Sequence, residues 1–189
     1  MDNFIQSDHD VIGKHIDTVD ALNDVLSRIT GGYMHKLYFN TQEDEKRYRY
    51  LWGLDERNHR ETMTQINVHL IDLPDDSNDR ENQQLMRDYV MRDLFLWAIL
   101  MNRIEIAQVF LCYMKYRMCA ALIATKILKE YHKKAIHGEL KESYLKSAEY
   151  FQQYAIECIN QCEKNDANQA CQIVLQRIEL FGYVTCLQV

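Results

Sequence analysis

Proline occurs once and glycine six times in 189 residues, against roughly 12% for the two together in average usage. Turn-rich all-β architectures need far more of both, so they are excluded first. No long hydrophobic run is present: the longest is Leu94 to Met101, well short of the about 20 residues that cross a bilayer. There is no excess of positive charge, since the net charge is −6, which argues against general binding to nucleic acid or anionic membranes. The opening Met1-Asp2-Asn3-Phe4 has neither a basic nor an apolar stretch of the kind that directs secretion. The six cysteines fall at 112, 119, 158, 162, 171 and 186, mostly within apolar periodic segments. There they read as reduced, buried small hydrophobes in a cytosolic setting.

What is present is helical. The chain is 47% apolar and 26% charged, the balance of a globular protein of about one domain. Val19, Leu22, Leu26, Ile29 and Tyr33 step by three and four, one face of a helix, and Gly31-Gly32 supplies its stop. Thr41 can cap a second helix, with Glu43 to Glu45 in its first turn and Tyr48, Leu51 and Trp52 as its buried side. Residues 53–84 read as a variable, partly mobile linker, with a brief extended piece at 68–73 and no apolar residue from Asp75 to Gln84. From Leu85 the chain is helix after helix. Leu85, Tyr89, Val90, Leu94, Trp97, Ala98 and Met101 make a broad stripe. Leu140, Tyr144, Ala148, Phe151, Ala155, Ile159 and Cys162 give the cleanest period. Ala170, Val174, Ile178 and Phe181 give the last helix, which Gly182 closes. Short connections predict antiparallel hairpins. The fold class is therefore all-α, a solenoid-like stack with an ankyrin-like hairpin at 94–114, divided into 1–52, 53–84 and 85–189. The expected core residues are Leu94, Trp97, Ala98, Leu122, Phe151, Ile159 and Val174.

The search for chemistry is nearly empty. His59-Arg60-Glu61 and His137-Gly138-Glu139 match half of a zinc-deaminase signature, but no Pro-Cys-x-x-Cys follows. Cys158 and Cys162 share a helix face, yet no second ligand pair exists. Lys46 to Trp52 interleaves basic and aromatic residues as single-strand binders do, but Glu43-Asp44-Glu45 and Asp55-Glu56 neutralise it. No Walker loop, nucleophile elbow, His-Glu-x-x-His or EF-hand loop occurs. No catalytic residue, cofactor, metal or nucleic-acid partner is expected.

The segment Asp93-Leu94-Phe95-Leu96-Trp97-Ala98-Ile99-Leu100-Met101-Asn102-Arg103 resembles a stretch in the cytosolic N-terminal part of melastatin-type TRP (TRPM) cation channels. Ala120 to Lys129 resembles the next helix of that region, Thr185-Cys186-Leu187-Gln188 its end, and Ile29-Thr30-Gly31-Gly32-Tyr33 a segment upstream. Cys112 to Tyr116 stands where that family has a tryptophan-containing segment, so the likeness is to a divergent member. The resemblance implies a non-catalytic helical piece on the cytosolic side of a Ca²⁺-permeable channel, most naturally in the plasma membrane. Such a piece would serve subunit assembly and pass signals toward the pore, with other subunits of a homotetramer as partners. A free-standing adaptor that binds helices or peptides is the alternative. Thr185 to Val189 begins an apolar segment and stops, so an exposed stack end is expected at Phe181, Leu187 and Val189.

Overall fold

A computed structural model describes residues 18–52, 54 and 78–189. Among these residues the fold is all-α, and the one extended pairing is an isolated antiparallel bridge between Ile178 and Val184. The helices are α1 (Val19–Ile29), α2 (Gln42–Leu51), α3 (Asn78–Leu100), α4 (Ile104–Tyr113), α5 (Arg117–Lys134), α6 (Gly138–Asn165) and α7 (Ala167–Leu175), followed by a 3₁₀ turn at Glu179–Phe181. The extended piece at 68–73 and the His59 motif lie outside the described residues.

Local chemistry sets the boundaries. The Thr18 hydroxyl accepts from the Ala21 N–H at 3.2 Å and starts α1. At the other end Gly31 and Gly32 take φ of 73° and 82°. There the Gly32 and Gly31 N–H groups return to the Ser27 and Arg28 carbonyls, a Schellman closure. Thr41 caps α2 as its sequence suggests, accepting from Asp44 N–H at 3.1 Å. Asn102, at φ 53°, closes α3 in the same way, with Arg103 N–H on the Ala98 carbonyl at 2.7 Å. That turn makes the α3–α4 hairpin. Asp166 caps α7 through the Asn168 and Gln169 amides.

α5 is the centre. Met118, Cys119, Ala120, Ala121, Ile123, Ala124, Thr125, Ile127, Leu128 and Tyr131 are all buried along it, and its alanines let neighbouring helices approach closely. α6 runs antiparallel against it. Thr125 Oγ1 reaches the Ala148 carbonyl, Tyr131 stacks edge-on to Tyr144, and His132 Nδ1 meets the Lys141 carbonyl at 2.8 Å. The Tyr131 hydroxyl also donates to the Leu100 carbonyl at 3.1 Å, answering one acceptor left open at the end of α3. Leu26, Ile29 and Met34 join the same core as α3 to α6.

Several sequence expectations are corrected here. α3 begins at Asn78, so the end of the presumed linker is helical. Its buried face carries Asp88, Arg92, Phe95, Leu96, Ala98 and Ile99, while Leu94 and Trp97 are 38% and 50% exposed. Residues 94 to 101 are apolar all round, so spacing cannot choose a face there, and the partners of the buried Arg92, from the Leu180 carbonyl to the Tyr38 ring, do. α2 buries nothing: Leu51 and Trp52 are exposed. The last helix ends at Leu175, and Gly182 closes the 3₁₀ turn instead. That turn brings Phe181 and Val184 to full burial, which removes Phe181 from any exposed end. Leu187 is exposed, and Val189 packs against the core margin. Phe151 is fully buried, and Leu122, Ile159 and Val174 lie half-buried at the core's edge. All six cysteines are free thiols, but only Cys119 and Cys186 are buried, while Cys112 and Cys171 are exposed.

Candidate functional site

The closing turn is gripped by the N-terminal segment. The buried Asn23 side chain works in the middle of α1: its amide donates to the Tyr38 carbonyl at 2.7 Å and its oxygen accepts from the Leu37 and Tyr38 N–H groups. An asparagine at a core-facing helix position is a legible sign of such side-chain-to-backbone bonding, absent from the expectations above. Asn23 thereby fixes the segment 34–39, and His35 N–H donates to the Gly182 carbonyl at 3.0 Å.

Two arginines complete the grip. Arg49 of α2 donates from Nη1 to Glu179 at 2.7 Å and to the Tyr183 hydroxyl at 3.2 Å, and from Nε to Glu45 at 3.1 Å. Burial works against its charge, but Glu179 holds the guanidinium protonated above its ordinary range. Arg92 of α3, 5% exposed, donates to the Leu180 carbonyl at 3.1 Å and to Asp93 at 2.8 Å. Its guanidinium lies over the Tyr38 and Tyr89 rings, with Cζ 5.2 and 4.9 Å from their centroids. Tyr38 in turn donates to Asp93 at 2.9 Å. Burial pushes the Tyr89 phenol up to about 12 and raises Tyr38 and Tyr183 as well. No sequence signal pairs Arg49 with Glu179, because their spacing along the chain has no period.

These groups line a cleft of about 30 Å³, room for about two waters and far below the roughly 300–1,000 Å³ of small-molecule sites. Every strong charge in it is already paired with protein. Among the described residues, no three His, Cys, Asp or Glu side chains come together to hold a metal. The arrangement is built to seat a turn.

His35 sits at its rim. Its ring meets Tyr48, Trp52 and Tyr183 edge-on, and Nδ1 shares a 3.1 Å hydrogen bond with the Tyr48 hydroxyl. Burial, with a smaller push from Arg177, lowers its pKa below 6.5. Above pH 6.5 both folded and unfolded chains hold neutral His35, and its contribution is complete. As the pH falls through 6.5 the unfolded chain takes the proton first, so stability declines until the folded pKa is passed. The urea midpoint should therefore drop between pH 7.5 and 5.5 by more in the native protein than in His35→Gln. Equal drops would show that His35 contributes nothing to this pH dependence.

The second feature is an apolar ridge on the outer side of α3. Met86, Val90, Leu94, Trp97 and Met101 are 45%, 48%, 38%, 50% and 49% exposed, at spacings of three and four. Of the residues singled out from sequence, Ala98, Phe151 and Phe181 meet in the core, Leu94 and Trp97 stand on the ridge, and Leu187 is exposed in the last turn.

A family model described as the TRPM2-like domain matches residues 7–189. The chain belongs to this family. Over 98 residues, 52% of the chain, it is 34% identical to transient receptor potential cation channel subfamily M member 2 of Rattus norvegicus, covering 6% of that protein. It is 34% identical over 96 residues to subfamily M member 5 of Homo sapiens, 51% of the chain and 8% of that protein. With subfamily M member 4 of Rattus norvegicus the identity is 26% over 121 residues, 58% of the chain and 10% of the relative. The matched stretch thus spans a tenth or less of each of these curated relatives, which are named as cation channels. Among the described residues, no helix is long and apolar enough to cross a membrane.

Proposed function

We propose that this chain acts as a non-catalytic, cytosolic part of a TRPM-like, Ca²⁺-permeable cation channel, serving subunit assembly and the passage of cytosolic signals toward the pore. The family match over residues 7–189 carries the reading. In this reading the parent is a homotetramer of the plasma membrane. Residues 18–52 clasp the end of a solenoid-like stack, and a variable insertion lies between them and α3.

The ridge supports assembly as the task. Contiguous exposed apolar side chains mark interaction surfaces, and the half-exposed Trp97 among them is the residue type on which interface energy concentrates. Its neighbours would be other subunits of the parent. Trp97→Ala separates this role from a role in folding. At 50% exposure its cost to stability should stay within about 1 kcal/mol, against roughly 3–5 for a buried tryptophan. Sedimentation of the chain should show concentration-dependent association that Trp97→Ala weakens and Leu187→Glu leaves alone. A chain that stays monomeric at every concentration, or a large stability loss in Trp97→Ala, would count against the ridge as the assembly face.

A further inference from the structure

Met86, Val90, Leu94, Trp97 and Met101, each more than a third exposed, lie along α3 over about 22 Å at 1.5 Å per residue. Met86 and Trp97 are eleven residues apart, as are Val90 and Met101. Eleven residues are close to three helical turns, so the row runs almost straight and can meet a straight helix along its length. From Val90 to Met101 none of the exposed positions of α3 is charged. Exposed charges stand at the two ends, with Arg87 near the start of the row and Arg103 and Glu105 just past its end.

We propose that the ridge takes the same ridge of a second copy of this chain, the two α3 helices lying antiparallel about a two-fold axis at Leu94. This pairing rests on the ridge being an assembly face and names its partner. The order of the row carries it. Read backwards, the row nearly repeats itself: Met86 falls opposite Met101, Val90 opposite Trp97 and Leu94 opposite Leu94. The largest side chain meets the smallest, and each copy contributes the same patch, as a two-fold contact requires. Charge agrees with the register. Arg87 of one copy comes to the end of α3 in the other, where the helix dipole is negative and Glu105 opens the next helix. Arg103 stands opposite the exposed amides of Gln83 and Gln84. Parallel packing would instead set Trp97 on Trp97, Arg87 on Arg87 and Glu105 on Glu105, and like charges face to face oppose association. One helix face of this length lies at the small end of specific interfaces, so the pairing is weak and concentration-dependent. In a homotetramer it joins subunits two by two.

The test uses the whole chain with the exposed Cys112 and Cys171 changed to Ser. Met86→Cys and Met101→Cys chains carrying tags of different length are mixed and treated with a short bismaleimide. Dimers joining one chain to the other should form, each chain alone should stay largely unlinked, and Leu94→Cys should link to itself. In sedimentation, Arg87→Glu and Glu105→Arg alone should each weaken association roughly tenfold, because two exposed pairs are reversed in every dimer. An equal mixture of these two variants should return to the native value, since every contact again joins opposite charges. All these positions are exposed, so the variants keep the native fold. Met86→Cys and Met101→Cys chains that link only to themselves would show parallel packing. A native chain that associates with neither the 86–101 link nor rescue by mixing would place the second copy elsewhere. Either result overturns the proposal and leaves an assembly face in place. A native chain that is monomeric at every concentration removes the assembly face and this pairing together.

Discussion

Phe151→Ala is expected to lower the unfolding free energy by about 3–5 kcal/mol, the range for deleting a fully buried aromatic. Phe151 is wholly inaccessible and sits on the inner face of α6, against the alanine-rich α5. Its ring meets Phe95 of α3 edge-on, with centroids 6.2 Å apart and planes at 85°, and Tyr150 at 5.3 Å. It therefore joins α3 to the α5–α6 hairpin. The edge-on pair adds roughly 0.5–1.5 kcal/mol beyond area burial, which places the expectation in the upper part of the range. Against a total stability of about 5–15 kcal/mol such a loss is large. In urea the midpoint should fall sharply while the slope of the transition is kept, because the same surface is exposed on unfolding. A loss under about 1 kcal/mol would mean that α6 repacks across the gap.

The contrast between Phe151 and Trp97 shows where sequence reasoning works. On α6 the apolar residues are separated by polar ones, so Tyr144, Ala148, Phe151 and Ala155 define one face, and all four are buried. On α3 the residues from Leu94 to Met101 leave no polar side by which to orient the helix. The deciding group is Arg92, a polar residue that a hydrophobic count sends outward. Arg92 goes in because the Leu180 carbonyl, Asp93 and two tyrosine rings receive its charge. Those partners come from three separate stretches of the chain, and no local pattern announces them. Helix caps are local, so Thr18, Thr41, Gly31 and Asp166 are each readable or nearly so. The grip on the closing turn is long-range, so spacing alone continues the last helix through Ile178 to Phe181, where the structure has a 3₁₀ turn. Family membership was legible for a third reason: it rests on a run of residues in order, which needs no knowledge of which side faces inward.

Gly182→Ala should undo that grip while sparing the helices. Gly182 holds φ at 68°, in the left-handed region, and Tyr183 follows at 60°, so two consecutive residues turn the chain the disfavoured way. Placing a Cβ there costs roughly 1–2 kcal/mol by backbone strain alone. Space is the harder limit. A Cβ on Gly182 would run into the His35 carbonyl oxygen and approach Met34 Cγ to 2.9 Å. The backbone must move away, and with it goes the hydrogen bond from His35 N–H to the Gly182 carbonyl, worth about 1 kcal/mol. Arg49 then loses its aim at Glu179 and Tyr183. The combined cost should be roughly 3 kcal/mol, localised at one end of the molecule. Gly32→Ala is the control, since Gly32 has φ 82° but nothing within 4 Å of a new Cβ, so it should show the strain alone. Native-state hydrogen exchange separates the two variants. In Gly182→Ala the amides of His35 and Ile178 should lose protection while those along α5 and α6 keep it, and in Gly32→Ala both sets should stay protected. If α5 and α6 open together with the turn in Gly182→Ala, the closing segment is part of the central folding unit and not a separable clasp.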